Sequence, residues 1–184
     1  LLSSGLIHFV FKDMIKNEYL DILKKYKYII YTRFDQFYVD KHPEVDESKI
    51  LIPTGEDYYG ICDRHAAFPS DLASSFLSIC EYIDSDEAFK NLPSFNNCET
   101  TFLNHMKNAG LHNKVKRFNR IQFTASLKNE HTNWRVAKYR IHFYKNLMIK
   151  YPNEYIDSIK NAISNNSLLI FFLNEPVLFL NYYY

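Results

Sequence analysis

Apolar residues follow helical spacing near the start of the chain. Leu6, Ile7, Val10 and Met14, then Leu20 and Leu23, recur at three- and four-residue intervals and predict one or two amphipathic helices ending by Lys25. The pattern then changes to strand formers, Tyr28 to Thr32 within YKYIIYTRFDQFYV, and stops at Arg33, Phe34 and Asp35. A second apolar run, Ile50 to Pro53, predicts a strand leading into TGEDYYGICDRHAAF, a polar segment read as a loop. Ser70 to Asp84 reads as a helix, with Ser70 as its N-cap, Asp71 in the first turn and Leu72, Phe76, Ile79 and Ile83 on the inward face. Another helix opens near Asn97 or Cys98, turns Phe102, Leu103 and Met106 inward and ends at Gly110. Val115 to Phe123 reads as a strand, LKNEHTNWR as a polar loop, and Val136 to Tyr151 as a long helix.

These elements, with no internal repeat, predict one α/β domain over 1–163 followed by an apolar tail over 164–184. Within that tail, Asn174, Glu175 and Pro176 divide SLLIFFLNEPVLFLNYYY into runs too short to cross a bilayer, so a hairpin-like pair of strands or an aberrant tail is expected, and no membrane span.

Charge excludes one class of partner. With 22 basic and 21 acidic residues the net charge is +1, and no nucleic-acid partner is expected without a clustered basic excess. Cys62, Cys80 and Cys98 are odd in number and lack C-x-x-C or Cys/His ligand spacing, which argues for reduced thiols in a cytoplasmic protein rather than zinc ligands. The N-terminus has none of the features of a secretory signal, and a chain opening on Leu1 reads as a piece of a longer one.

Four places carry candidate chemistry. Asp35 stands just past a strand, where ligands collect in open α/β sheets. Asp63, Arg64 and His65 follow Gly60, and three adjacent ionisable side chains are costly to bury without a purpose. Glu99 lies in the first turn of a helix, where a carboxylate also complements the helix dipole. His131, Trp134 and Arg135 share the late polar loop.

Taken in order, the strand ending at Asp35, the segment GICDRHA, the helix opening CETTFL and the late histidine loop resemble GT-A glycosyltransferases, in particular the glycosyltransferase-like proteins of large DNA viruses. The resemblance covers Tyr26 to Arg135. It implies a mixed sheet flanked by helices, with an incomplete nucleotide-binding half because only 34 residues precede Asp35. It also implies transfer of a sugar from a nucleotide-diphosphate donor, UDP-linked for example, to a hydroxyl on a glycan or other acceptor, with inversion.

GT-A enzymes end a strand in D-x-D, and here that place holds Arg33, Phe34 and Asp35. The resemblance implies that Asp35, with His131, holds Mn2+ or Mg2+, hard cations suited to carboxylate and phosphate oxygens. Arg33 then contacts phosphate, Asp63, Arg64 and His65 line the sugar and acceptor pocket, and Trp134 and Arg135 cover the donor or clamp phosphate. Glu99 matches the general base, with Asp63 as the competing candidate. Two other readings stay open: a degenerate glycan- or protein-binding module of the same fold, which the missing first aspartate fits, and a metal-dependent hydrolase, for which the paired Asp/His signatures are missing.

Overall fold

The computed structural model describes residues 4–90, 97–127, 129–130, 140–143 and 145–165. In chain order the elements are α1 (Ser4–Leu23), β1 (Tyr28–Thr32), β2 (Gln36–Tyr38), β3 (Ile50–Pro53), β4 (His65–Pro69), α2 (Ala73–Leu77), α3 (Ile79–Ile83), α4 (Asp86–Lys90), α5 (Cys98–Asn108), β5 (Val115–Phe118), β6 (Gln122–Leu127), β7 (Arg140–Phe143), β8 (Lys145–Ile149) and α6 (Pro152–Ser164). They fall into two compact units. The first takes its residues from Leu1–Thr32 and Glu44–Phe118, the second from Arg33–Pro43 and Asn119–Tyr184.

The first unit is a mixed sheet with flanking helices, in strand order β1-β4-β3-β5. β4 runs antiparallel to β1 and β3, while β3 and β5 are parallel, with Ile50 opposite Val115 and Pro53 opposite Phe118. The all-apolar β3 is fully buried, as its unbroken Ile-Leu-Ile run requires. β1, the strand expected over Tyr28 to Thr32, lies at the edge of the sheet with intermediate and exposed residues. Ile50, Ile52, Phe68, Phe76, Phe102 and Met106 form the centre of the core, where Phe76 stacks on Phe68 at 4.1 Å and meets Phe102 edge-on at 5.5 Å.

Within this unit α1 is a single helix whose inward face differs from the expected one. Phe9 and Lys12 are buried, with Ile15, Leu20 and Leu23 packed on the core, whereas Leu6, Ile7, Val10 and Met14 are exposed. The segment from Ser70 is a 3-10 turn followed by two short helices interrupted at Ser78. Ser70 makes no capping bond, but Phe76 and Ile79 are buried and Leu72 and Ile83 pack against them as expected. α5 begins on a capping box: the Asn97 side chain accepts from the Thr100 N–H at 2.8 Å and the Thr100 hydroxyl accepts from the Asn97 N–H at 3.0 Å. Gly110, at φ +67°, follows its C-terminus.

The second unit carries an antiparallel sheet of order β2-β6-β8-β7 and the helix α6. Two corrections arise here. The stretch from Val115 to Phe123 is two strands in different sheets, because buried Arg120 interrupts it. The stretch read as a helix from Val136 contains the β7–β8 pair, since Leu147 and Ile149 alternate with less buried neighbours at the strand period of two. His142, taken for a helical residue, lies on β7. Phe123 packs edge-on against Tyr155 at 5.1 Å and stacks with Phe37 at 6.0 Å. Arg120 donates to Glu154 at 3.1 Å, and Glu154 also accepts from the Thr124 N–H at 2.9 Å.

Among the described residues no helix is long and apolar enough to cross a membrane. The expected tail hairpin over 167–184 lies outside the described residues.

Candidate functional site

The first unit holds a cluster built from the segment between β3 and β4 and the start of α5. Part of that segment is not loop: His65 to Pro69 form β4, all buried, an assignment obscured by two alanines of low strand propensity. Asp63 and Arg64 immediately precede it and are almost fully buried, while Glu99 is half-buried in the first turn of α5. Burial raises the Glu99 pKa above 4.5, the nearby charge of Asp63 raises it further, and Arg64 opposes both. Asp63, Arg64 and Glu99 thus share one electrostatic neighbourhood. His65 turns an edge of its ring to Phe118 at 5.9 Å.

Gly60 brings the loop onto α5. A Cβ there would stand 2.1 Å from the carbonyl carbon and oxygen of Glu99 and 2.3 Å from the Thr100 nitrogen, all main-chain atoms, so only glycine permits this approach. The Ile61 N–H donates to the Glu99 carbonyl at 3.2 Å across the same contact. Gly60→Ala is therefore expected to push the first turn of α5 outward and cost about 1–3 kcal/mol in urea unfolding, the range for overpacking.

Asp57 is half-buried, accepting from Arg117 Nη2 at 2.8 and 3.0 Å and from the Cys62 N–H at 2.9 Å. Arg117 also donates to the Pro53 carbonyl at 2.5 Å, so one guanidinium ties the loop to the end of β3.

Lys12 was hidden by the apolar spacing of α1. It is 0% exposed, with its ammonium 4.2, 5.0 and 5.4 Å from the ring centroids of Tyr31, Phe102 and Phe9, and it donates to the Asp63 carbonyl at 3.2 Å. Burial lowers its pKa from 10.5 to about 8, opposed first by Asp63 and then by Cys62, Cys98 and Cys80. Below pH 8 both folded and unfolded chains carry this proton and the burial cost stands in full. As pH rises toward 10.5 the folded chain releases it first and gains stability. Relative to Lys12→Met, the wild type should gain about 1.4 kcal/mol per pH unit above pH 8, read from urea unfolding at pH 7.5 and 9.5.

The second unit holds the other sequence candidates. Arg33 grips Asp35 through two parallel bonds, Nε to Oδ1 at 2.9 Å and Nη2 to Oδ2 at 2.6 Å, and Phe34 between them is fully exposed. Both Asp35 carboxylate oxygens are thus engaged by one guanidinium. Among the described residues no group of three or more His, Cys, Asp and Glu is placed to hold a metal ion. His131, Trp134 and Arg135 lie outside the described residues.

His105, by contrast, is a core residue. It is buried against Tyr82 and Phe102, its Nε2 lies 3.3 Å from the Phe76 carbonyl, and burial lowers its pKa to about 4. Cys62, Cys80 and Cys98 are not joined in disulfides.

In comparisons with protein-family models, curated protein sequences and solved structures, nothing matches this chain.

Proposed function

We propose that the chain is a glycosyltransferase that moves a sugar from a nucleotide-diphosphate donor to a hydroxyl acceptor with inversion. The observation that supports this reading is the Glu99 carboxyl. It is held in the first turn of α5 with its proton affinity raised by burial and by Asp63, as suits a group that must accept a proton during reaction. As the acceptor oxygen attacks the anomeric carbon, the bond from that carbon to the diphosphate oxygen breaks, and the acceptor's proton passes to Glu99. Asp63 keeps the Glu99 proton affinity high, and Arg64 supplies a nearby positive charge.

The test is release of UDP from UDP-hexoses, with and without oligosaccharide acceptors. UDP release that rises with acceptor supports the proposal, whereas no release from any UDP-hexose, with or without Mn2+, defeats the enzyme reading. Mn2+ dependence of turnover reads out the cation that the resemblance implies at Asp35 and His131.

A second reading, a degenerate glycan- or protein-binding module, is favoured by one observation: Arg33 stands in place of the first metal-motif aspartate and occupies Asp35. Glycan retention without turnover is its signature.

A further inference from the structure

The loop GEDYYG, Gly55 to Gly60, has a strained backbone. Gly55, Glu56, Tyr58 and Tyr59 have φ of +83°, +53°, +44° and +69°, so three side-chain-bearing residues occupy the left-handed region within four positions. For bulky residues such as tyrosine this conformation is unfavourable, and it persists only where the surroundings over-determine it.

Here they do. Arg117 and the Cys62 N–H hold Asp57, the Gly60 N–H donates to the Asp57 carbonyl at 2.7 Å, and Asn97 Nδ2 donates to the Tyr58 carbonyl at 2.8 Å. The Tyr58 hydroxyl bonds Glu56. Gly60 closes the loop against the backbone of Glu99.

What this frame presents is aromatic surface. Tyr59 is 89% exposed and Tyr58 43% exposed, so burial of the Tyr59 ring returns little for the strained backbone that carries it. Glycine at position 59 would serve the fold better. The tyrosine makes sense as a ring carried on a backbone fixed in place for something that arrives from solution, because a pre-organised loop loses little freedom on binding.

We infer that the Gly55–Gly60 loop is a carbohydrate platform on which Tyr59 stacks a pyranose ring of the acceptor glycan. A pyranose offers an apolar C–H face to an aromatic ring and a polar edge to neighbouring hydrogen-bonding groups, which matches a largely exposed phenol ring better than it would an aliphatic side chain. The choice of acceptor over donor rests on the proposed function: the loop is closed onto Glu99, and the hydroxyl that gives its proton to Glu99 belongs to the acceptor.

The test uses the full chain on an array of immobilised hexose oligosaccharides, comparing wild type, Tyr59→Phe and Tyr59→Gly, with UDP-hexose affinity and thermal melting measured in parallel. The expected result is retention of at least one oligosaccharide by the wild type and by Tyr59→Phe, and at least tenfold weaker retention by Tyr59→Gly. Relief of the left-handed strain should at the same time raise the Tyr59→Gly melting temperature by about 3 °C.

The inference is overturned by a wild type that retains no oligosaccharide, or by Tyr59→Gly binding like wild type. Loss in Tyr59→Phe equal to that in Tyr59→Gly also overturns it, as does a Tyr59→Gly defect confined to UDP-hexose affinity. The two proposals fail separately. Tyr59-dependent glycan retention without UDP release sinks the transferase and keeps the platform, while acceptor-stimulated UDP release with Tyr59-independent retention does the reverse.

Discussion

On the transferase reading proposed above, Glu99→Gln will slow acceptor-dependent UDP release by about 10²- to 10⁴-fold, the contribution of a positioned general base. The amide keeps the size of the side chain and removes only its capacity to take a proton, so α5 and its Asn97 cap remain and the melting temperature changes little. The pH profile is the sharper readout. Because burial and Asp63 raise the Glu99 pKa, the acid limb of kcat/KM should lie above pH 4.5, with activity lost as pH falls through it. Asp63→Asn removes the larger of the two charges that raise it and should move that limb toward lower pH. An acid limb that stays in place in Asp63→Asn, or a Glu99→Gln variant that turns over at the wild-type rate, removes Glu99 from the chemistry.

Glu154→Gln will cost about 3–5 kcal/mol, the penalty for leaving one partner of a buried ion pair uncompensated. Arg120 and Glu154 are both buried, and the carboxylate also accepts from the Thr124 N–H while Asn161 donates to the Arg120 carbonyl at 2.9 Å. One pair therefore ties the approach to β6, β6 itself and α6 together. Guanidinium unfolding of the single variants and of Arg120→Met combined with Glu154→Leu checks this. The double variant should recover most of the loss, since matched apolar side chains carry no stranded charge. Equal losses in the single and double variants would mean that the hydrogen bonds, not the charge, hold this region.

The sequence spoke clearly where one local rule dominated. Ile50 to Pro53 is unbroken apolar and became the buried centre of its sheet, and the helix expected near Asn97 or Cys98 begins at Cys98 on an Asn97 cap. It was silent where the deciding term was tertiary. His65 to Pro69 reads as loop because alanine carries little strand preference, and only pairing with β1 and β3 makes it a strand. The apolar spacing of α1 fits two faces of a helix, and the rings of Phe9, Tyr31 and Phe102 around Lys12 belong to the face that spacing alone did not favour.

At the candidate site, Asp63, Arg64 and Glu99 were visible as residues, but their grouping depends on a close approach at Gly60 that no spacing rule encodes. Asp57 reads as an exposed charge until Arg117, 60 residues later, reaches it. Three left-handed residues in GEDYYG left no signal, since tyrosine is a poor candidate for that conformation.

The pairing of β2 with β6 has a consequence during synthesis. Gln36 lies opposite Thr124, and their side chains are 88 positions apart. At ribosomal rates of about 5–20 residues per second, β2 is made roughly 4–18 s before its partner strand. All of Glu44–Phe118 is translated in that interval, so the nascent chain can complete its first unit while an aromatic strand ending in Phe37 and Tyr38 still waits with an unsatisfied backbone. In that window the β2 edge is open to pairing with other chains, and slowing translation after Pro43 would promote aggregation through it.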